Sequence, residues 1–274
     1  MTSRDARRRT SGLRLEVGAL ICAALAACTS APADRPLRLG TTFTVQQSGA
    51  LALLDSLPPP DSLVTVIAAS GQILQSAARG DLALVITHAP SLEQRLLVAP
   101  GHVALRCPFV TSRFAVVGPA ADPAAVARAA SAADAVARIA RAGAQFISRG
   151  DSSGTQVKEL ALWRAAGIAP EGKPWYVETG ADQATTLHVA DERAAYALAD
   201  LPTLARTPGL ELRILFDRDT ALTNRYTLYV VRGPDSVRAA AVAAWAMSTW
   251  RERLLQAKLP DRSAAFVLPP GRCS

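Results

Sequence analysis

Aromatic residues make up only 5% of the 274 residues, methionine occurs twice, histidine three times and cysteine four times. Four cysteines cannot staple a chain of this length, so the fold must rest on a hydrophobic core and not on a disulfide scaffold. His88, His102 and His188 stand in no ligand spacing with one another or with the cysteines, so neither a metal site nor a cofactor is expected. No run of basic residues is interleaved with aromatics, and nucleic acid is therefore not an expected partner. No apolar run reaches the length of a membrane span. What is present is a chain half apolar and 19% charged, which excludes a disordered polymer and suits one or two domains.

The net charge of +7 divides unevenly. Residues 1–27 supply +3 of it, from five arginines against Asp5 and Glu16, and the other 247 residues carry 25 basic and 21 acidic groups spread along the chain. That remainder is a mild steering field at most. Arg7, Arg8 and Arg9 precede an apolar stretch at 17–27, which has the length of a signal-peptide core and is too short to cross a bilayer. It ends in Leu25-Ala26-Ala27-Cys28, a lipobox in which the Cys28 thiol would accept diacylglycerol. We expect a signal peptide at 1–27, lipidation of Cys28 and a linker at 28–36; the alternative is an ordinary cleaved signal in which Cys28 is incidental. The triple arginine fits a twin-arginine signal only loosely, so the export route stays open. Either route leads to the periplasm or cell surface, where Cys107 and Cys273 can bridge or remain two thiols.

The body alternates strand and helix. Strands are predicted at 37–42, 63–68, 81–86, 114–119, 145–148, 175–178, 195–198, 210–216 and 226–231, and helices at 48–57, 72–79, 157–166, 184–192 and 236–258. Residues 123–142 form a helical region broken near Ser131. Short apolar strands at this spacing, separated by helices, mark α/β units around a parallel sheet.

The chemistry concentrates in four hydroxyl-rich turns at strand-to-helix junctions: Thr41-Thr42-Phe43-Thr44, Ser70-Gly71-Gln72, the run from Ser148 to Thr155, and the run from Thr179 to Thr186. Each brings side-chain hydroxyls and unpaired backbone N–H groups to a helix N-terminus, where the helix dipole also favours negative charge. In open α/β sheets such turns lie at the ligand-binding edge. One such turn alone would be read as N-capping. Four of them, one carrying Arg149 beside Ser153-Gly154-Thr155, describe a pocket for a small deprotonated anion.

The residues at 40–49, 148–155, 158–163 with 166–170, and 175–180 resemble the tungstate-binding proteins of bacterial ABC importers, as do Thr87-His88-Ala89-Pro90, Val117-Gly118-Pro119 and 190–198. The resemblance runs in order over about 37–232. It implies a type II periplasmic-binding-protein fold: two α/β lobes, 37–117 plus 226–274 and 118–225, joined by two crossover strands with the ligand cleft between them. It implies as ligand a tetrahedral oxyanion, tungstate or molybdate, and as partner an ABC transporter permease, with the membrane reached through the lipid on Cys28. Carried over by position, the ligand-binding residues are Thr41, Thr42, Thr44, Ser70, Arg149, Ser153, Gly154, Thr155 and Thr185. The chain departs from the family pattern at Phe43, Ser70, Gln156, 181–184 and Leu201-Pro202.

Phosphate is the runner-up ligand, since phosphate-binding relatives also use an arginine, an aspartate and a Ser-Gly-Thr. Hydrogen phosphate carries a proton best met by a carboxylate, whereas tungstate is a bare dianion that a carboxylate repels. The first two turns hold no acid, and Asp151 is expected to orient Arg149. A second alternative is a serine hydrolase, because Gly150-Asp151-Ser152-Ser153-Gly154 resembles the nucleophile turn of trypsin-like proteases. That chemistry needs a histidine base oriented by a carboxylate. No histidine here stands in such a motif, so binding without catalysis is the expected activity. His88 is expected to satisfy local backbone after its strand.

Overall fold

The β-branched run Leu63–Ala68 forms strand β2 at its predicted bounds and pairs in parallel with β1, Leu37–Thr42. These belong to a computed structural model that describes residues 35–54 and 56–274. The signal peptide, Cys28 and most of the linker lie outside the described residues. Downstream come β3 (Leu84–Thr87), β4 (Val103–Gly118), β5 (Phe146–Ser148), β6 (Tyr176–Glu178), β7 (Tyr196–Asp200), β8 (Arg213–Phe216) and β9 (Thr223–Val231).

The strands form one continuous sheet in the order β2-β1-β3-β9-β4-β7-β5-β6, with β8 also on β4. Its two halves repeat one plan. In the first, the parallel trio β2-β1-β3 is followed by antiparallel β9 and then by β4. In the second, the parallel trio β6-β5-β7 is followed by antiparallel β4 and then by β8. Strand β4 serves both: Val103–Arg113 pairs with β9, and Phe114–Gly118 with β7 and β8. This is the mixed α/β, type II periplasmic-binding-protein architecture.

Strand β4 is far longer than the predicted 114–119. Pro108, which has no amide hydrogen to donate, and the polar run Thr111-Ser112-Arg113 interrupt its alternation, and the ladder shifts register between Pro108 and Val110. The single helix predicted at 48–57 is two short ones, Phe43–Gln47 and Ala50–Leu54. Gly49 separates them at φ +81°, and a Cβ there would fall 2.5 Å from the Arg206 guanidinium, so only glycine fits. Helix Leu201–Arg206, with Asp200 as its cap, has no predicted counterpart because six residues give no helical period to read.

Helix Ala132–Ala142 shows how the pattern dictates packing. Ser131 accepts the Asp134 amide as N-cap, Gly143 closes the helix in the left-handed conformation at φ +58°, and Ala132, Ala135, Val136 and Ile139 fall on one buried face. Burying Val136 and Ile139 is worth roughly 1.5–3 kcal/mol each. They join Phe146, Trp163, Tyr196 and Phe216 in the core of the second half. The first half has its own core of Leu39, Leu84, Ile86, Leu228 and Trp250. Its last helical stretch runs through Ser236–Trp245, a π turn at Ala246–Trp250 and Arg251–Leu255. Beyond it, Cys273 is disulfide-bonded to Cys107 on β4, and Arg106 and Ser274 exchange backbone hydrogen bonds at 2.9 Å. Of the two alternatives for these cysteines, the bridge is the one found.

Candidate anion site at the facing strand ends

Parallel neighbours end side by side in each half, β1 with β2 and β5 with β6, and their carboxyl ends face each other. Thr41 and Thr42 point to opposite faces of β1, as successive strand residues must. The Thr41 hydroxyl donates to the Ile86 carbonyl at 3.3 Å, which commits its hydrogen to the fold. Thr42 Oγ1 accepts the Val45 amide at 3.3 Å and caps the following helix. Thr44 and Ser70 are fully buried. Thr44 Oγ1 accepts from Arg149 Nη1 at 3.2 Å, and Ser70 Oγ accepts the Gly154 amide at 3.1 Å. Hydroxyl oxygens that accept still carry a hydrogen of their own, so Thr42, Thr44 and Ser70 each retain a donor.

In the second half, the turn after β5 winds tightly, with Gly150 at φ +61° and Ser152, unusually for a residue with a side chain, at φ +59°. This winding brings Asp151 back onto Arg149. One Asp151 oxygen accepts Arg149 Nη2 at 2.5 Å and the other the Ser153 amide at 3.1 Å. Arg149 is 1% exposed and also donates through Nε to the Ala181 carbonyl at 3.3 Å. Burial pulls its pKa down, Asp151 opposes this, and an arginine keeps its charge against such pressure. Ser153 caps helix Gly154–Ala165 by accepting the Gln156 amide. Thr155 donates to Gln183 Oε1 at 3.0 Å, and Gln183 in turn donates to the Leu198 carbonyl at 2.8 Å.

The fourth turn is arranged differently from the expectation. Asp182 caps helix Gln183–Glu192 by accepting the Thr185 amide, and Thr185 itself is exposed. The buried residues of this turn are Gln183 and Thr186, with Thr186 Oγ1 2.9 Å from Thr179 Oγ1. No reading of the sequence singled out Gln183, although it shares a helical face with the buried Thr186, Leu187 and Ala190.

Four hydrogen bonds join the two edges: Arg149 to Thr44, Gly154 to Ser70, the Gly71 amide to the Ser152 carbonyl at 3.4 Å, and the Ala184 amide to Gln47 Oε1 at 3.2 Å. The arrangement is closed, with one guanidinium and a set of neutral donors converging. The nearby carboxylates Asp151, Asp182 and Glu178 each accept from donors of the protein itself. This is the chemistry of an anion clamp.

Below the site run two buried polar networks that sequence reasoning missed. Glu159 accepts from Tyr176 at 2.7 Å and from Trp163, and Tyr176 Oη, its one hydrogen committed to Glu159, accepts from the Ser148 hydroxyl 2.9 Å away, next to Arg149; burial raises the Glu159 carboxyl to about 8. Asp200 accepts from Ser112, Asn224, Tyr226 and Thr203, tying β4, β7 and β9 together where they cross between halves. His88 belongs to this second network and not to local backbone as expected: its Nδ1 lies 2.9 Å from Asn224 Oδ1. Neither Ser152 nor Ser153 is hydrogen-bonded to a histidine among the described residues, so the nucleophile–base pair of a serine hydrolase is not assembled.

Comparison with known proteins places the fold in a family. A PBP superfamily domain model matches residues 27–249. A tungstate-binding protein, TupA, of Peptoclostridium acidaminophilum is 36% identical over 221 residues, 77% of this chain and 76% of that protein. A Haloferax volcanii protein named for ABC transporter anion binding is 40% identical over 185 residues, 65% of this chain; the chain spans about half, 53%, of that relative's length. Among solved structures, that of the tungstate ABC transporter from Geobacter sulfurreducens is 35% identical with a TM-score of 0.66, covering 78% of this chain and 94% of that one. TupA from Desulfovibrio alaskensis is 28% identical with a TM-score of 0.67, covering 86% and 100%.

Proposed function

The chain belongs to the PBP superfamily, and on that premise we propose that it is the substrate-binding protein of an ABC importer and captures tungstate. The observation that carries this reading is the clamp itself: buried neutral hydroxyls on one edge face a buried guanidinium on the other, with the adjacent carboxylates already occupied. Such a site suits a bare dianion and offers no free acceptor for the proton of hydrogen phosphate.

The lobes in this reading are 37–117 with 226–274, and 118–225, hinged on β4 and β9. Opening parts the four cross-edge hydrogen bonds and exposes Thr42, Thr44 and Ser70 on one lobe and Arg149, Ser153, Gly154 and Thr155 on the other. An entering oxyanion is held by both sets of donors only in the closed state, so binding favours closure, and the closed form is what the permease receives. Molybdate, of the same geometry and charge, is the expected competitor.

Isothermal titration with tungstate, molybdate, phosphate and sulfate tests the reading. Tungstate and molybdate should bind more tightly than phosphate and sulfate, and absence of binding to all four would refute an anion site. Capture without catalysis predicts no labelling of Ser152 or Ser153 by a serine-directed fluorophosphonate. Export and lipidation at Cys28 would hold the protein at the outer face of a membrane, and Cys28→Ser should then release it into the soluble fraction.

A further inference from the structure

His88 connects the anion clamp to a second cavity. Its ring packs on Gly154, where an added Cβ would fall 2.6 Å from the ring. The same residue lines a cavity of about 250 Å³ together with Lys158, Thr220, Thr223, Asn224 and Arg225. The walls come from helix Gly154–Ala165, from the approach to β9 and from β9 itself, so the cavity sits where the chain crosses between halves of the sheet.

Three features of these walls point to a ligand. Lys158 and Arg225 bring two cations to one cavity, close enough that Arg225 helps burial to depress the Lys158 ammonium. Lys158 Nζ donates to the Ala221 carbonyl at 2.7 Å, a neutral partner, and the Asp219 carboxylate offsets part of its charge from a distance while Arg225 adds to it. The nearby carboxylate, Asp219, accepts the Ala132 and Ala221 amides at 2.7 and 2.8 Å. The hydroxyls of Thr220 and Thr223 and the amide of Asn224 complete a polar lining.

The third feature is the protonation of His88. Asn224 Nδ2 donates to Asp200 Oδ1 and lies 2.9 Å from Tyr226 Oη, so its Oδ1 faces His88 and must accept the Nδ1 hydrogen. Nε2 is then a bare lone pair. It belongs to a residue only 3% exposed and has no hydrogen-bond partner among the described residues. A buried acceptor left so is costly, and a group that brings it a hydrogen is favoured.

We propose that this cavity is a second anion site, selective for a protonated tetrahedral oxyanion of the hydrogen phosphate class. Its negative oxygens meet Lys158 and Arg225, and its own hydroxyl meets His88 Nε2. Sulfate, of the same shape but without a proton at neutral pH, lacks the group that Nε2 requires. The two sites divide the chemistry: the clamp is rich in donors, and the cavity adds an acceptor to its cations.

Titration of inorganic phosphate into three full-length proteins tests this without reference to what the clamp binds. In Arg149→Ala, phosphate should still bind, and at least tenfold more tightly than sulfate. In Lys158→Gln/Arg225→Gln made in the same background, phosphate affinity should fall at least tenfold. Both positions are at least partly solvent-exposed, and matching thermal melts would verify folding. In the wild-type protein, phosphate should shift the imidazole ¹⁵N resonance of His88 Nε2. Absence of phosphate binding to Arg149→Ala, equal affinity for sulfate, binding untouched by the double substitution, or an unmoved Nε2 resonance would each overturn the proposal.

Discussion

The two edges that face each other across the clamp are built from the same strand plan and carry different chemistry. The β1/β2 edge presents Thr42, Thr44 and Ser70, all neutral and buried, whereas the β5/β6 edge presents a buried guanidinium held by Asp151. The halves behind them differ as well. The first is assembled from both ends of the chain, with β9, the last helical stretch and the tail packing onto β1 to β4, and it is fastened by the Cys107–Cys273 bridge. The second is one continuous stretch from the end of β4 through helix Ala132–Ala142 to β8, with no cysteine to bridge it, and it supports its charged turn on Glu159 and Tyr176. One half thus supplies neutral donors on a covalently fastened frame, and the other supplies the charge on a network that can titrate.

The largest effect that would sharpen this contrast is on the fastening. The bridge closes a loop of 166 residues, and removing it by Cys107→Ser/Cys273→Ser should cost about 2–4 kcal/mol of stability while Arg149 keeps its partners. Denaturant melts of oxidised and reduced protein measure this, and hydrogen exchange should locate the loosening in the first half. Equal loosening of β5 and β6 would break the distinction. Next comes Glu159. Burial holds its carboxyl at about 8 against an ordinary 4.5, so the folded protein binds a proton that the unfolded chain has released. The resulting stabilisation is complete below about pH 4.5 and is lost as pH rises through 8. Between pH 5 and 8, Glu159→Gln should gain on the wild-type protein by on the order of 1–3 kcal/mol, read from thermal melts at each pH.

The plan of strands was legible from short apolar runs, and β1 and β2 fall at their predicted bounds because each is an uninterrupted β-branched or alternating run. Strand β4 was only half legible, since a crossover strand changes partners along its length and its burial pattern changes with them. At the site, Arg149 and the turn hydroxyls could be picked out because capping residues before a helix are local features of sequence. The links from Gln183 to Leu198, His88 to Asn224 and Asn224 to Asp200 could not, because they span 15, 136 and 24 residues and single polar residues on buried faces carry no period. Thr185 shows the limit of position alone: the cap at Asp182 fixes the helix phase, and that phase buries Thr186 and exposes Thr185.

The sharpest test of the edges uses one substitution on each. Arg149→Ala removes the formal charge and should weaken tungstate binding at least tenfold, about 1.4 kcal/mol or more by titration calorimetry. Ser70→Ala removes one neutral hydroxyl from the opposite edge and leaves the Gly154 amide free to turn to the anion. A net neutral hydrogen bond is worth about 0.5–1.5 kcal/mol, so the loss should be roughly two- to tenfold and smaller than that at Arg149. The double variant decides whether the edges act together. If closure makes each edge's grip depend on the other, the combined loss should differ from the sum of the two, because Arg149 and Ser70 have different hydrogen-bond partners and are linked through the closed state and the anion it holds. Strict additivity would mean that the hydroxyl edge binds the anion without needing the arginine to close over it, and the division of labour between the halves would then be one of composition only.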